Sequence, residues 1–383
     1  MQSLPSQEQI HAALAKVIDP EIRRPITDLG MVRSAEVDPD GTARVTVLLT
    51  VAGCPMRETL THDVTKAVSA LPGVTNVEVK LDVMSDEERR ALQTKLRGSA
   101  PPKQNPFARP DSLTRVYAVA SGKGGVGKSS VTVNLAVAMA RRGLKVGLLD
   151  ADVYGHSVPA MVGVADQRPT RVEDMIMPVP AYDVKVMSIG MLKPGRQHVV
   201  AWRGPMLDRA LGQMLADVYW GDLDVLLLDL PPGTGDMAIS VGQQLTNADV
   251  LVVTTPQEAA AEVAERAGTI ASMLQQKVVG VVENMSWLPC PHCGPSHQIE
   301  VFGSGGGKRV AATLTERLGY DVPLLAEVPL DPGLRSGSDA GVPVVLDHPD
   351  SAAAQALIAL AQDLAERRPS LVGRSLGITP AKR

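Results

Sequence analysis

One stretch constrains this chain more than any other: Gly122-Lys123-Gly124-Gly125-Val126-Gly127-Lys128-Ser129. An apolar run, Val116-Tyr117-Ala118-Val119-Ala120, precedes it, and a helical pattern through Val131, Val133, Leu135, Ala136 and Met139 follows. Strand, glycine-rich turn and helix start give G-x-x-x-x-G-K-[ST] the context of a phosphate-binding loop. The glycines let backbone N–H groups converge on one point and admit a phosphate closely. The helix N-terminus adds partial positive charge at that point. Lys128 is expected to reach the β- and γ-phosphates of ATP, and the Ser129 hydroxyl to hold Mg²⁺.

Lys123, one residue into the motif, is not required by a plain P-loop. It is either a solvated lysine or a charge aimed at a phosphate bound by a second protomer. G-K-G-G-V-G-K-S resembles the deviant P-loop branch that includes the MinD-type ATPases, and that resemblance implies the second role, across a dimer.

Other acids and amides stand at strand ends. Asp229 closes the apolar run Val225-Leu226-Leu227-Leu228 and leads into Leu230-Pro231-Pro232-Gly233-Thr234-Gly235-Asp236. An acid at the C-terminal end of a strand beside a P-loop is placed to hold Mg²⁺ directly or through water. The plainer reading is a helix cap. Asp150-Ala151-Asp152 ends another strand, Val146 to Leu149. One of these acids can orient the attacking water; the resemblance singles out Asp152, leaving Asp150 to support the metal or the loop. Asn284, in Glu283-Asn284-Met285-Ser286, carries donors and an acceptor in one plane and suits an adenine edge, although a strand-end asparagine is also an ordinary turn residue.

Cys290-Pro291-His292-Cys293-Gly294 supplies two thiolates two residues apart, able to share a metal or cluster. A [4Fe–4S] cluster takes four, which closed two-fold symmetry between identical chains provides. A zinc site using His292 or His297 and a redox dithiol are the rivals. Thioredoxin-type C-x-x-C opens a helix after an early strand, whereas this one follows a late strand. Phe302 to Arg309 looks like a second phosphate loop but lacks Ser or Thr after Lys308, so a helix-entry turn is expected.

The chain has 383 residues, enough for two or three domains, with net charge −4 and 21% charged residues. Neither a basic excess for nucleic acid nor an apolar run of membrane-spanning length is present. Aromatics make up 3%, leaving no evident base-stacking platform. The cysteines, Cys54, Cys290 and Cys293, cannot form a disulfide framework, and no secretory signal is read, so a reducing cytoplasm is expected. From residue 114 onward strands and helices alternate, which points to an α/β fold: a mostly parallel, doubly wound P-loop sheet. Before it, residues 1–95 read as a small α/β domain of order α-β-β-α-β, with Ser6 and Gln9 forming a capping box. Residues 96–113 read as an extended linker, 114–370 as the P-loop domain and 371–383 as a loose tail. Cys54 sits at an expected helix N-terminus, where a thiol is either acidified and reactive or simply buried; Asp28 is a candidate neighbour.

Two motif sets carry the family resemblance. Asp19-Pro20-Glu21-Ile22, Asp28-Leu29-Gly30-Met31-Val32 and Ala52-Gly53-Cys54-Pro55 resemble the small iron–sulfur assembly domain. G-K-G-G-V-G-K-S, D-A-D-V-Y-G-H-S, W-R-G-P-M, D-L-P-P-G-T-G-D, E-N-M-S and C-P-H-C-G resemble the Mrp family of iron–sulfur cluster carrier ATPases, over residues 114 to 368. That likeness implies a cytosolic homodimer that slowly hydrolyses ATP with Lys123, Lys128 and Asp152, and binds Mg²⁺ through Ser129 and Asp229. It implies a labile cluster on Cys290 and Cys293, received from cluster scaffold proteins and passed to apo-proteins, with neither nucleic acid nor membrane as partner. The alternatives are a MinD-like positioning ATPase acting on membrane or DNA, a zinc-binding P-loop regulator, and a reductase with a permanent cluster.

Overall fold

The computed structural model describes residues 4–50, 56–97, 105–109, 111–153, 155–192, 204–233, 235–257, 265–266, 268, 271–272, 274–290 and 292–367. They form two compact units. The first takes the described residues of Met1–Gln104 together with Asp166–Pro180 and Ala216–Gly221; the second takes the rest.

In the first unit, Ser6 opens helix α1 (Gln7–Leu14) with the expected capping box: the Gln9 N–H donates to Ser6 Oγ and the Ser6 N–H to Gln9 Oε1. Strands β1 (Val32–Val37) and β2 (Thr42–Leu49) pair antiparallel around the turn at Gly41, whose φ of +86° suits a residue without Cβ. Helix α2 (Arg57–Ser69) buries Leu60, Val64 and Val68, and β3 (Asn76–Val83) returns parallel to β2. This is the α-β-β-α-β order read from the sequence. Helix α3 (Asp86–Arg97) was not foreseen. Its signal is a second capping box, in which the Ser85 N–H donates to Glu88 Oε2 and the Glu88 N–H to Ser85 Oγ. Two short strands, Thr170–Val172 and Met175–Met177, also escaped the periodicity; Val172, Met175 and Met177 belong to the same core as Leu14, Ile26 and Val45. There Thr170 Oγ1 donates to the buried Glu21 at 3.1 Å, and burial, with Asp19 alongside, pushes the Glu21 carboxyl up to about 7. Asp28 is exposed, while Cys54 lies outside the described residues.

The second unit is built on parallel strands lying in the order Leu324–Val328, Lys277–Asn284, Asp249–Thr254, Arg115–Ser121, Val225–Asp229, Val146–Asp150 and Val184–Ser188. Val225 to Leu228 are wholly buried, as a strand covered on both faces must be. The strand Arg115–Ser121 is flanked on one side by Val225–Asp229 and on the other by Asp249–Thr254. Its loop therefore opens over the carboxyl ends of its neighbours, where α/β sheets bind ligands.

The linker expectation needs one correction. Pro106–Ala108 is a short 3-10 turn rather than extended chain, because Asn105 caps it, Phe107 is buried, and Asn247 Nδ2 donates to the Phe107 carbonyl at 2.9 Å. The expected helix at 259–274 and the tail after 370 fall largely or wholly outside the described residues. No helix among the described residues is long and apolar enough to cross a membrane.

Candidate functional site

The P-loop joins the strand Arg115–Ser121 to a helix, Lys128–Arg141. Gly125 and Gly127 adopt φ of +82° and +77°, conformations open to glycine at little cost, and so turn the loop back over the helix start. Lys128 is 6% exposed and its Nζ lies 2.6 Å from Asp229 Oδ1. Ser129 Oγ donates to Asp229 Oδ2 at 2.6 Å. Strand pairing explains the meeting: Asp229 stands level with Val119 on one side and Asp150 on the other. Lysine and hydroxyl thus converge, within hydrogen-bond distance, on an acid far along the chain.

Two members of this cluster were not foreseen. Thr132 Oγ1 lies within donating distance of Asp229 Oδ1, at 3.0 Å, and of the Lys128 carbonyl, at 2.9 Å. It follows Lys128 by four positions, so helical spacing puts both on one face. Ser188 Oγ donates to Asp150 Oδ2 at 3.0 Å, and the Asp152 N–H to Asp150 Oδ1 at 3.1 Å. Burial, reinforced by the Asp229 carboxylate, pushes Asp150 up to about 8. Asp150 is wholly buried, whereas Asp152 lines an open cleft of about 580 Å³ with Pro231, Pro232 and Asp236. Asp152 Oδ1 accepts from the Gly155 N–H at 2.8 Å, which fixes its orientation. Lys123 and Gly124 are exposed.

Asn284 reaches the P-loop directly. Its Nδ2 donates to the Val126 carbonyl at 2.9 Å, and its buried Oδ1 has no partner among the described residues. A Cβ on Gly127 would stand 2.2 Å from that Nδ2, so the motif glycine is also required by close packing.

Cys290 and Cys293 form the turn of a small hairpin, Leu288–Cys290 pairing antiparallel with Gly294–Ile299. The Cys293 N–H donates to Cys290 Sγ at 3.4 Å. That bond, with one from the His292 N–H, holds the Cys290 thiol below its usual range. Cys293, His292 and His297 are exposed, and among the described residues no group of three His, Cys, Asp or Glu side chains converges on a metal position. Gly303 to Lys308 is the expected helix entry: the Gly307 N–H, in the first turn of helix Gly306–Leu318, donates to the Glu283 carboxylate, so a side chain of the chain itself already takes up an N–H of that turn.

Two family models match the chain. Residues 7–80 match the iron-sulfur cluster assembly protein model, and residues 112–365 match the model described as NUBPL iron-transfer P-loop NTPase. The chain belongs to the NUBPL iron-transfer P-loop NTPase family. A relative from Mycobacterium tuberculosis (strain H37Rv), named iron-sulfur cluster carrier protein, is 60% identical over 98% of this chain and 97% of its own length. The protein of the same name from Deinococcus radiodurans is 44% identical over 92% and 93%. A nucleotide-binding protein from Archaeoglobus fulgidus, solved in complex with ADP, superposes with a TM-score of 0.50 at 36% identity, over 61% of this chain and 92% of that one. Membership of this family and an iron–sulfur carrier role agree with the sequence reading, as does the P-loop α/β fold.

Proposed function

We propose that this chain binds and slowly hydrolyses ATP in the cytoplasm, and carries a labile [4Fe–4S] cluster shared between two copies of itself, passing it from cluster scaffold proteins to apo-proteins. The observation that supports this most is a difference in completeness. The nucleotide site has lysine, hydroxyl and acid together in one chain, whereas the hairpin turn offers two thiols and no further ligand among the described residues. A cubane cluster takes four thiolates, and a two-fold axis near the turns supplies the other pair.

The nucleotide-side residues fit the triphosphate by their own chemistry. Lys128 exchanges Asp229 for phosphate oxygens, keeping its buried charge paired throughout. Ser129 and Asp229 present adjacent oxygens for Mg²⁺, which when bound neutralises charge between the β- and γ-phosphates. Asp152 orients the attacking water, and Lys123 of one protomer contacts the phosphate held by its partner. The unpartnered Asn284 Oδ1 can accept from an exocyclic adenine amine while its Nδ2 stays on Val126. The loops after Asp152 and Asp229 then couple the γ-phosphate to dimer geometry.

The test is transfer from anaerobically loaded protein to an apo-acceptor whose activity needs the cluster, followed with and without Mg-ATP while phosphate release is recorded. ATP is expected to change the transfer rate several-fold, and Lys123→Ala to abolish that change. Equal rates with and without ATP contradict the coupling, and one zinc per chain without iron contradicts the carrier role.

A further inference from the structure

One carboxylate holds both ends of the segment that carries the cysteines. Glu283, in the strand Lys277–Asn284, is 1% exposed, and its Oε2 accepts the Gly307 N–H at 2.5 Å. The backbone of Glu283 leads into the cysteine hairpin, and its side chain anchors the helix that follows the hairpin. The packing there is tight: a Cβ on Gly307 would stand 2.8 Å from Glu283 Cβ, and one on Gly306 2.6 Å from the Pro256 carbonyl oxygen. The exit is therefore fixed to the sheet.

The next residue, Asn284, is the one that holds the P-loop carbonyl of Val126. Met285 follows with φ of +56°, a left-handed backbone that a long side chain rarely adopts. Ser286 locks the far side of this bend, its Oγ donating to the Glu283 carbonyl at 2.8 Å and its N–H to the Val328 carbonyl at 3.0 Å. The Trp287 carbonyl accepts in turn from the Leu330 N–H at 2.7 Å, and the hairpin starts at Leu288. Three consecutive residues thus grip the sheet, touch the P-loop and bend strained backbone toward Cys290.

We propose that Glu283, Asn284 and Met285 form a clasp through which occupancy of the P-loop alters how Cys290 and Cys293 are presented, with Glu283 and Met285 acting as positioning residues for cluster handling. The clasp rests on the nucleotide-linked carrier reading above, but its route is distinct from the loops after Asp152 and Asp229. The physical reason is local. Drawing Lys128 and the loop amides onto a phosphate moves the Val126 carbonyl. A buried amide that lost this acceptor would be left unpaired, so Asn284 follows the loop. Because Glu283 fixes the strand and the hairpin exit together, the displacement falls on the positive-φ backbone of Met285 beside Asn284, and strained backbone of that kind is characteristic of switching segments.

The test uses the full-length apo chain and hydrogen exchange over residues 287–302, with and without a non-hydrolysable ATP analogue and Mg²⁺, with analogue affinity titrated in parallel. In the natural chain the analogue is expected to change hairpin exchange by about 3-fold or more. Glu283→Ala is expected to bind the analogue within about 2-fold of the natural chain yet to lose most of that response, while Glu283→Gln, whose amide oxygen still accepts the Gly307 N–H, retains it. Met285→Gly relieves the positive φ and is expected to cut the response by about half or more. Should Glu283→Ala fail to fold, Met285→Gly decides alone. A natural chain that responds alongside variants that respond equally overturns the clasp and leaves the carrier reading standing. A natural chain that binds the analogue with no hairpin response removes the nucleotide link itself, and the clasp with it.

Discussion

The P-loop and the cysteine hairpin are two sites of opposite design on one unit. Around Asp229 the groups are buried or half-buried, and each polar partner comes from the same chain: Lys128, Ser129 and Thr132 all lie within 3.0 Å of its oxygens. Around Cys290 the groups are partly or fully open to solvent, and the chief partner of the sulfur is a backbone N–H. Even the acidities diverge: burial pushes the Asp150 carboxyl up, while N–H donation draws the Cys290 thiol down. The contrast teaches that lysine, hydroxyls and acid meet within one chain at the P-loop, while the hairpin turn brings together two thiols with no further ligand among the described residues.

If that division is right, the two sites fail independently. Cys290→Ser is expected to lower reconstituted iron to below about a tenth of the natural value, since two of four thiolates vanish from a symmetric pair. Nucleotide affinity, read by titration, should stay within about 2-fold. Lys128→Ala is the converse: it removes charge-assisted bonds at a buried site, so nucleotide affinity should fall roughly 100-fold, about 3 kcal/mol, with iron content retained. A variant that damaged both readouts would break the comparison.

A pH series sharpens it further. Asp150 has its folded-state value raised from 3.8 to about 8, so its neutral form is favoured in the folded chain. Its contribution is fully present below the unfolded value and is lost as pH rises toward 8; without nucleotide or metal, the melting temperature should therefore fall across that window. Asp150→Asn should flatten the dependence. The smallest effect is expected for Thr132→Val, which removes one hydroxyl from the Asp229 cluster and should cost about 1 kcal/mol in thermal unfolding while leaving iron content unchanged.

The same contrast governs what the sequence made legible. The P-loop was readable because its parts are contiguous, and Asp229 because an acid closing a buried apolar strand beside a P-loop comes to lie next to the loop's lysine and serine. Thr132 and Ser188 were not, since each gains its meaning from an acid far along the chain, and a helical threonine or a strand-end serine has many ordinary uses. In the small unit the acidic and basic run after Ser85 hid a capping box and a helix whose apolar side is little more than Leu92 and Leu96. The short strands around Thr170 and Met175 are too brief to show a period. The turn at Pro106 was obscured by surrounding prolines, although Asn105 before Pro106 is a cap signal. At the hairpin, cysteine spacing alone could not exclude zinc, which could also bridge two chains; among the described residues no third His, Cys, Asp or Glu converges with Cys290 and Cys293.

The most direct measurement is native mass spectrometry of the anaerobically reconstituted full-length protein, with iron, sulfide and zinc determined on the same sample. Two chains bridged by one cluster of four irons and four sulfides are expected, dissociating to metal-free single chains on chelation. Single chains each retaining a zinc ion would contradict it.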